Sequence, residues 1–156
     1  MRIERGFAEE MLKLWQEPKS TSDFFCRHLQ SGNAEFWMLS EEKTCLGELY
    51  FFKELPQKDL ADGRCRAYLC AFRVAKRHQG KGYGSKLMRH VLERIQSLGF
   101  AEATIGAELC ETKNVQMYRH FGFEKDIMRD VYDPCHIDEA GFPVAGNEIQ
   151  FMSLQF

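Results

Sequence analysis

Three glycines alternate with other residues in the segment HQGKGYGSK, residues 78–86. Each glycine loses much backbone freedom on folding, so such a segment is expected where another group must approach the main chain closely. It lies between a predicted strand and a predicted helix, so its unpaired N–H groups and the helix dipole favour an anion, most commonly phosphate. Local positive charge comes from four basic residues, Lys76, Arg77, Lys81 and Lys86.

The glycines alone are equally typical of a tight turn, and the four basic residues of a solvated surface. Two other phosphate-binding motifs do not match the segment. A P-loop requires Gly-Lys followed by Ser or Thr, whereas the order here is Gly84-Ser85-Lys86. A dinucleotide-binding fingerprint requires Gly-x-Gly-x-x-Gly, which residues 80–85 do not fit.

A second group of polar side chains stands in the segment NVQMYRHFGF, residues 114–123. Asn114 and Tyr118 are four residues apart and share one face of a predicted short helix. A phenol can donate a hydrogen bond or act as a general acid. Taken alone, Tyr118 is better explained as a core aromatic residue beside Met117 and Phe121.

Hydrophobic periodicity and turn signals predict the elements that must position these residues. The predicted strands are residues 1–6, 35–40, 45–55, 65–74, 101–109, 123–133 and 148–156. The predicted helices are residues 7–17, 20–32, 84–98 and 114–122. Residues 134–147 are predicted to form a turn-rich connection.

The unit from Cys65 to Ala107 is a strand, a helix and a strand, which predicts two parallel neighbouring strands. The early hairpin and the late strands should be antiparallel. The predicted fold class is therefore α/β, more narrowly an α+β mixed sheet that is mostly antiparallel, with helices on both faces. A length of 156 residues fits a single domain over residues 1–156.

Composition excludes several partners. A net charge of −2 and a pI near 6.2 provide no basic field for nucleic acid. Six cysteines without zinc-type spacing indicate reduced thiols and no metal. No apolar run approaches the length of a membrane span or a signal core, so a soluble cytoplasmic protein without a membrane partner is expected.

The glycine segment also matches the pattern Arg/Gln-x-x-Gly-x-Gly/Ala, as Gln79-Gly80-Lys81-Gly82-Tyr83-Gly84. Residues 72–92, which contain this pattern, and residues 111–125 resemble two segments of one family. On these residues the chain resembles the GNAT superfamily of acyl-coenzyme A-dependent N-acetyltransferases. The two motifs occur in order, about thirty residues apart with a predicted strand between them. The resemblance implies a GNAT-like fold in which the parallel strand pair splays apart.

The resemblance implies acetyl-CoA as co-substrate, with no metal. Main-chain amides of one loop would hold the pyrophosphate, namely Gln79, Gly80, Lys81, Gly82, Tyr83, Gly84 and Ser85. The strand edge at Phe72, Arg73 and Val74 would pair with the pantetheine amides, and the N–H of Val74 would stabilise the oxyanion. Asn114 would contact the pantetheine arm, and the Tyr118 hydroxyl would lie near the sulfur as a catalytic acid.

The general base is less clearly marked, because the cofactor-binding strand YLCAFRV contains no Asp or Glu. Glu48 on the hairpin and Glu108 near the end of the strand after the main helix are the candidate catalytic bases. Each is more often an ordinary surface carboxylate. A mechanism in which solvent removes the proton also remains open.

The expected function is transfer of an acetyl group from acetyl-CoA to a primary amine by direct attack in a ternary complex. A coenzyme A-binding regulatory or sensor module without catalysis is the alternative, and a glycine turn that binds nothing is a third interpretation. The acceptor would be a small-molecule or peptide amine. Four acidic residues favour a cationic acceptor such as a polyamine, an aminoglycoside or a peptide N-terminus: Asp23, Glu48, Glu108 and Asp133. A homodimer is left open, since dimers are common in the family.

Overall fold

The computed structural model describes residues 1–156 and contains seven strands and four α-helices. The first half comprises β1 (Arg2–Gly6), α1 (Ala8–Leu14), α2 (Lys19–Ser31), β2 (Ala34–Glu41), β3 (Thr44–Phe52) and β4 (Arg66–Val74). The second half comprises α3 (Tyr83–Ser97), β5 (Glu102–Glu108), α4 (Thr112–Phe121), β6 (Lys125–Ile137) and β7 (Pro143–Gln155). A short 3₁₀ helix, Lys76–His78, lies between β4 and α3.

All seven strands belong to one sheet with the order β1-β2-β3-β4-β5-β7-β6. Every neighbouring pair is antiparallel except β4 and β5. The predicted mixed sheet with one parallel pair is confirmed.

The parallel pair is short. Its pairing begins at Arg66 and Glu102 and ends at Leu69 and Ile105, although both strands continue beyond that point. Just past the last pair, Ala71 adopts a φ of 51°, a left-handed value that is uncommon for a residue other than glycine. The register between β3 and β4 shifts at the same place, as in a β-bulge. The C-terminal ends of β4 and β5 are thus not paired with each other, although β4 still pairs with β3 and β5 with β7. We call the opening between these two ends the β4–β5 gap.

Helices cover both faces of the sheet, as predicted. α1 and α2 pack on one face, where buried side chains such as Phe25 and Tyr50 form one core cluster. α3 and α4 pack on the other face over a second cluster that includes Leu69, Val91 and Ile105. Alternation along each strand separates the two clusters, because successive side chains point to opposite faces.

The predicted turn-rich connection at residues 134–147 is wrong in extent. β6 continues to Ile137 and β7 begins at Pro143, so that only five residues connect the two strands. The pairing of β6 with β7 is irregular, with three shifts in register. Turn-forming residues in the sequence do not show that such an irregular pair of strands continues through them. The Asp138 carboxylate closes the turn by accepting the N–H groups of Ala140 and Phe142, each at 2.9 Å.

An ion pair ties α3 to the sheet. Glu35 on β2 is 1% exposed. Arg94 of α3 donates two hydrogen bonds to its carboxylate, at 3.0 and 3.2 Å, and Lys53 Nζ lies 3.4 Å from it. Burial by itself would raise the pKa of Glu35, but the hydrogen bond from Arg94 and the charges of Arg5, Arg94 and Lys53 hold it below its ordinary value.

Replacing Arg94 by alanine should lower the free energy of unfolding by about 2 kcal/mol. A buried charge without any partner costs roughly 3–5 kcal/mol, and Lys53 retains part of the pairing. Urea unfolding at pH 7 measures the change. The matched control is Arg89→Ala, which removes an exposed arginine from the same helix and should leave stability almost unchanged.

The sign of the pH dependence checks the assignment to Glu35. A carboxyl group whose pKa is lowered by folding adds stability above its unfolded pKa and loses that contribution as the pH falls. The difference between wild type and Arg94→Ala should therefore shrink below pH about 4, near the ordinary pKa of glutamate. A difference that stays constant to pH 3 would show that Arg94 acts through packing instead.

Candidate active site

The two sequence motifs meet in one cleft of about 390 Å³, named the first cleft below. It lies between the end of β4, the glycine loop (residues 79–82), the start of α3 and one face of α4. Its lining residues are Phe72, Val74, His78, Gln79, Gly80, Gly82, Gly84, Ser85, Asn114, Met117 and Tyr118. Nine of the twelve residues predicted to bind the cofactor are among them.

The glycine loop has the backbone that an anion site requires. Gly80 and Gly82 have φ values of 78° and 81°, in the left-handed region that glycine adopts without strain. A Cβ added to either glycine would meet no protein atom within 4 Å. Gly82 precedes α3, and no side chain caps the N-terminus of that helix. The first N–H groups of α3 therefore lack helical acceptors and are available to a phosphate group.

The third glycine of the motif, Gly84 in the first turn of α3, has a different role. A Cβ at Gly84 would lie 3.2 Å from Phe72 Cζ and 3.4 Å from Val74 Cγ2. Its missing side chain lets the first turn of α3 pack closely on the end of β4. This contact brings the start of the helix to the edge of the β4–β5 gap.

Main-chain groups of β4 also face the first cleft. The Ala75 N–H donates to the Leu46 carbonyl at 2.8 Å, so Ala75 faces β3. Because main-chain groups alternate in direction along a strand, those of Val74 and Phe72 face the β4–β5 gap. The Gln79 side chain donates to the Val74 carbonyl at 3.0 Å, which holds the glycine loop against the strand and leaves the Val74 N–H directed into the gap.

Three predicted cofactor residues do not line the first cleft: Arg73, Lys81 and Tyr83. Arg73 faces β3 instead, where its guanidinium bonds to Glu48. Two lining residues, His78 and Met117, were missed by the sequence analysis. The helical spacing of Met117 from Asn114 was a usable signal, whereas nothing marks His78 except its position beside the motif.

Tyr118 occupies the inner end of the first cleft. It is 7% exposed, and its ring centroid lies 6.5 Å from that of Phe72 and 6.3 Å from that of Phe123. Burial raises its pKa to about 12, with smaller contributions from the charges of Glu111 and Cys70. The phenol thus stays protonated at neutral pH. One helical turn away, Asn114 also lines the cleft and hydrogen-bonds to Glu111.

The two candidate bases lie in different surroundings. Glu48 is 5% exposed, so the interpretation as a surface carboxylate is wrong for this residue. Arg73 and the Tyr50 hydroxyl donate to it at 3.1 and 3.0 Å, and the Arg73 guanidinium lies over the Trp15 ring. Burial raises the pKa of Glu48, although the Arg73 charge opposes the rise. Glu48 lines neither the first cleft nor the cleft that contains Glu108.

Glu108 lines a second cleft of about 130 Å³, together with Tyr68, Gly106, Asp133 and His136. Two of the four acidic residues that favour a cationic acceptor therefore meet here. Asp23, by contrast, lies on α2 and forms an exposed ion pair with Lys19 at 2.9 Å. The Asn147 amide donates to the Glu108 carboxylate at 3.3 Å.

The six cysteines are free thiols. No three or more His, Cys, Asp or Glu side chains are grouped in a way that could hold a metal ion. None of the helices combines the length and the apolar composition needed to cross a bilayer. The absence of a metal cofactor and the cytoplasmic location stay predictions from the sequence.

Comparison with known proteins identifies the class. Residues 2–123 match the model of the Acetyltransferase (GNAT) family, and the chain belongs to this family. N-acetyltransferase 8 of Rattus norvegicus is 26% identical over 104 residues, which cover 67% of this chain and 46% of that protein. N-acetyltransferase 8B of the same organism is 24% identical over 104 residues, with the same coverage. The chain spans about half the length of the curated relatives that it matches.

Solved structures share the fold at low sequence identity. The acetyltransferase from Bacillus subtilis in complex with CoA has a TM-score of 0.71 at 21% identity, covering 99% of this chain and 98% of that one. A GNAT family acetyltransferase from Elizabethkingia anophelis with acetyl-CoA bound has a TM-score of 0.69 at 15% identity, covering 99% and 97%. The predicted GNAT-like fold is confirmed.

Proposed function

We propose that residues 1–156 act as one domain that transfers an acetyl group from acetyl-CoA to a primary amine by direct attack in a ternary complex. One observation carries this proposal. The first cleft joins the uncapped start of α3, the gap-facing main chain of β4 and the Tyr118 hydroxyl. Family membership and the CoA-bound structural neighbours support the choice of co-substrate.

The residues of the first cleft fit a molecule with a diphosphate at one end and a thioester at the other. The amides of Gly80, Gly82 and the first turn of α3 would hold the diphosphate. Lys76, Arg77, Lys81 and Lys86 are exposed and form no salt bridge, so their charges remain available to the phosphates. The N–H groups of Phe72 and Val74 would stabilise negative charge on the acetyl carbonyl oxygen. The thioester supplies the activated acetyl group.

The raised pKa of Tyr118 defines its role. An ordinary thiol has a pKa of about 8.5, so a phenol with a pKa of about 12 is the weaker acid. We therefore assign Tyr118 as a hydrogen-bond donor to the sulfur while the C–S bond breaks. The proton that finally stays on sulfur then comes from the attacking amine.

Incubation of the protein with acetyl-CoA and a panel of primary amines tests the proposal. We expect free thiol to appear only when an amine is present, in amounts equal to the acetylated amine found by mass spectrometry. Initial rates at varied concentrations of both substrates should give intersecting reciprocal plots, as a ternary complex requires. Parallel plots would instead indicate an acetylated enzyme and contradict direct attack.

Calorimetry with acetyl-CoA on the same preparation separates the two alternative functions. Tight binding without any acetylated product would favour a CoA-binding sensor module. Absence of binding would leave the glycine loop as a turn without a ligand and would end the proposal.

A further inference from the structure

The bulge in β4 decides which of its side chains face the first cleft. Between the paired residues Cys70 and Arg73, β4 contains two residues, whereas β3 contains only Leu49 between their partners. The extra residue interrupts the alternation of side chains. Cys70 and Ala71 both pack on the core cluster beneath α1 and α2, whereas Phe72 packs on the cluster beneath α3 and α4. From residue 71 onward, the side chains of β4 therefore lie on the opposite face from the one that a regular strand would give them.

A strand without the bulge would present a different surface to the cofactor. If β4 paired regularly with β3, Phe72 would lie opposite Glu48, and Arg73 would face the first cleft. Phe72 and Val74, which line that cleft, would turn to the other face of the sheet. The main-chain groups that face the β4–β5 gap would change with them. The bulge is therefore a condition for the arrangement of the first cleft.

The bulge has a cost in the backbone. Ala71 has a φ of 51°, and a left-handed conformation is unfavourable for a residue with a Cβ. Such conformations persist where the surrounding contacts hold them in place. Interactions that exist only in the bulged pairing are therefore needed to offset the strain at Ala71.

A closed ring of four side chains supplies these interactions. The Glu48 carboxylate, 5% exposed, accepts hydrogen bonds from Arg73 at 3.1 Å and from the Tyr50 hydroxyl at 3.0 Å. The Trp15 indole N–H donates to the same hydroxyl at 3.0 Å. The Arg73 guanidinium closes the ring, because it lies over the Trp15 ring at 5.3 Å from the centroid. In the bulged pairing Arg73 and Glu48 are direct partners, whereas a regular pairing would place them on opposite faces.

We infer that Glu48 and Arg73 are positioning residues: their ion pair selects the bulged pairing of β4, which turns Phe72 and Val74 toward the first cleft. In the regular pairing the Glu48 carboxylate would be buried against Phe72 without a cation. An unpaired buried charge costs more than one left-handed alanine, so the bulged pairing is favoured. This gives Glu48 a role other than that of a general base. The register belongs to the fold itself, whereas its effect on acetyl-CoA rests on the proposed function.

The left-handed backbone of Ala71 provides a direct measurement of the register by NMR. At a φ of 51° the amide and α hydrogens of one residue lie close together and give a strong intraresidue nuclear Overhauser effect, which is weak in a regular strand. Arg73→Ala should lose this strong signal at Ala71. It should also lose the Overhauser effects between the rings of Phe72 and Tyr118, whose centroids are 6.5 Å apart.

Arg94→Ala is the matched control, since it also removes an arginine that donates to a buried glutamate, Glu35. It should retain both signals, because Glu35 and Arg94 lie outside β3 and β4. Unchanged signals in Arg73→Ala would overturn the inference, as would their loss in Arg94→Ala. If Arg73→Ala does not fold, Glu48→Met is measured instead, because methionine fills the space and leaves no buried charge. Unchanged signals in that variant would equally overturn the inference.

Two fragments of acetyl-CoA connect the register to the proposed function. Acetyl-pantetheine carries the thioester and the pantetheine arm, and ADP carries the diphosphate. In NMR titrations, Arg73→Ala should weaken acetyl-pantetheine about tenfold, the effect of losing one or two main-chain hydrogen bonds, and should leave the affinity for ADP unchanged. A lost register with unchanged acetyl-pantetheine affinity would contradict the positioning role. Failure of both fragments to bind the wild type would contradict the proposed function only, because the Overhauser effects measure the register without a ligand.

Discussion

Replacing Tyr118 by phenylalanine should lower the turnover number about 10²- to 10³-fold while leaving the affinity for acetyl-CoA nearly unchanged. Loss of one hydrogen-bond donor to a developing charge has an effect of this size. The ring of Tyr118 packs against Phe72 and Phe123, and phenylalanine preserves that packing. Turnover is measured as thiol release at saturating amine, and affinity by calorimetry.

Tyr132→Phe is the matched control, because it removes a hydroxyl from a half-exposed tyrosine on β6 that lines neither cleft. Its turnover should equal that of the wild type. Single-turnover experiments establish whether chemistry limits the rate in each protein. Equal single-turnover rates for wild type and Tyr118→Phe would remove Tyr118 from the mechanism.

The pH profile gives a second test of the same role. A phenol with a pKa of about 12 remains protonated across the range in which the enzyme can be assayed. Tyr118 should therefore cause no fall in turnover between pH 8 and pH 10. A loss of turnover in that range that disappears in Tyr118→Phe would show that the hydroxyl ionises there and would contradict the donor role.

Much of the first cleft could be predicted because its signals are local in sequence. The glycines, the amphipathic helix after them and the four-residue spacing from Asn114 to Tyr118 each depend on neighbouring residues. The parallel pairing of β4 and β5 follows from the handedness of a strand–helix–strand unit. What local patterns omit is which face of β4 meets the cleft: Phe72 and Val74 line it, whereas Arg73 alternates with them and bonds to Glu48 on the other face.

The second cleft could not be predicted, because its walls come from strands far apart in the chain. Asp133 approaches Tyr68 and Glu108 only because β7 pairs with both β5 and β6, and three other lining residues, His136, Val144 and Gly146, lie in residues that look like a loop. The burial of Glu48 has a similar origin, since it depends on partners from β4 and on neighbouring side chains of the α1–α2 face. Sequence composition identified Glu48 and Glu108 as candidate bases. It could not show that Glu48 is bonded to Arg73 and Tyr50 whereas Glu108 lines a cleft.

Replacing Gly82 by alanine should weaken coenzyme A binding by about 100-fold. The loss arises because the added methyl group projects into space that no protein atom fills and that the diphosphate would occupy. Strain is a separate effect on folding, because a φ of 81° is costly for a residue with a Cβ. Displacement of the diphosphate loses charge-assisted hydrogen bonds of about 1.5–3 kcal/mol, and each 1.4 kcal/mol is a factor of about ten.

Gly99→Ala provides the matched control for backbone strain. Gly99 follows α3, has a φ of 96°, and an added Cβ there also meets no protein atom within 4 Å. Both variants should lose about 1 kcal/mol of stability in urea unfolding, since each forces alanine into the left-handed region. Only Gly82→Ala should weaken coenzyme A, and it should bind acetyl-pantetheine, which lacks the diphosphate, as well as the wild type does. Equal coenzyme A affinity in the two variants would mean that the glycine loop does not hold the diphosphate, and the start of α3 would lose its assigned role.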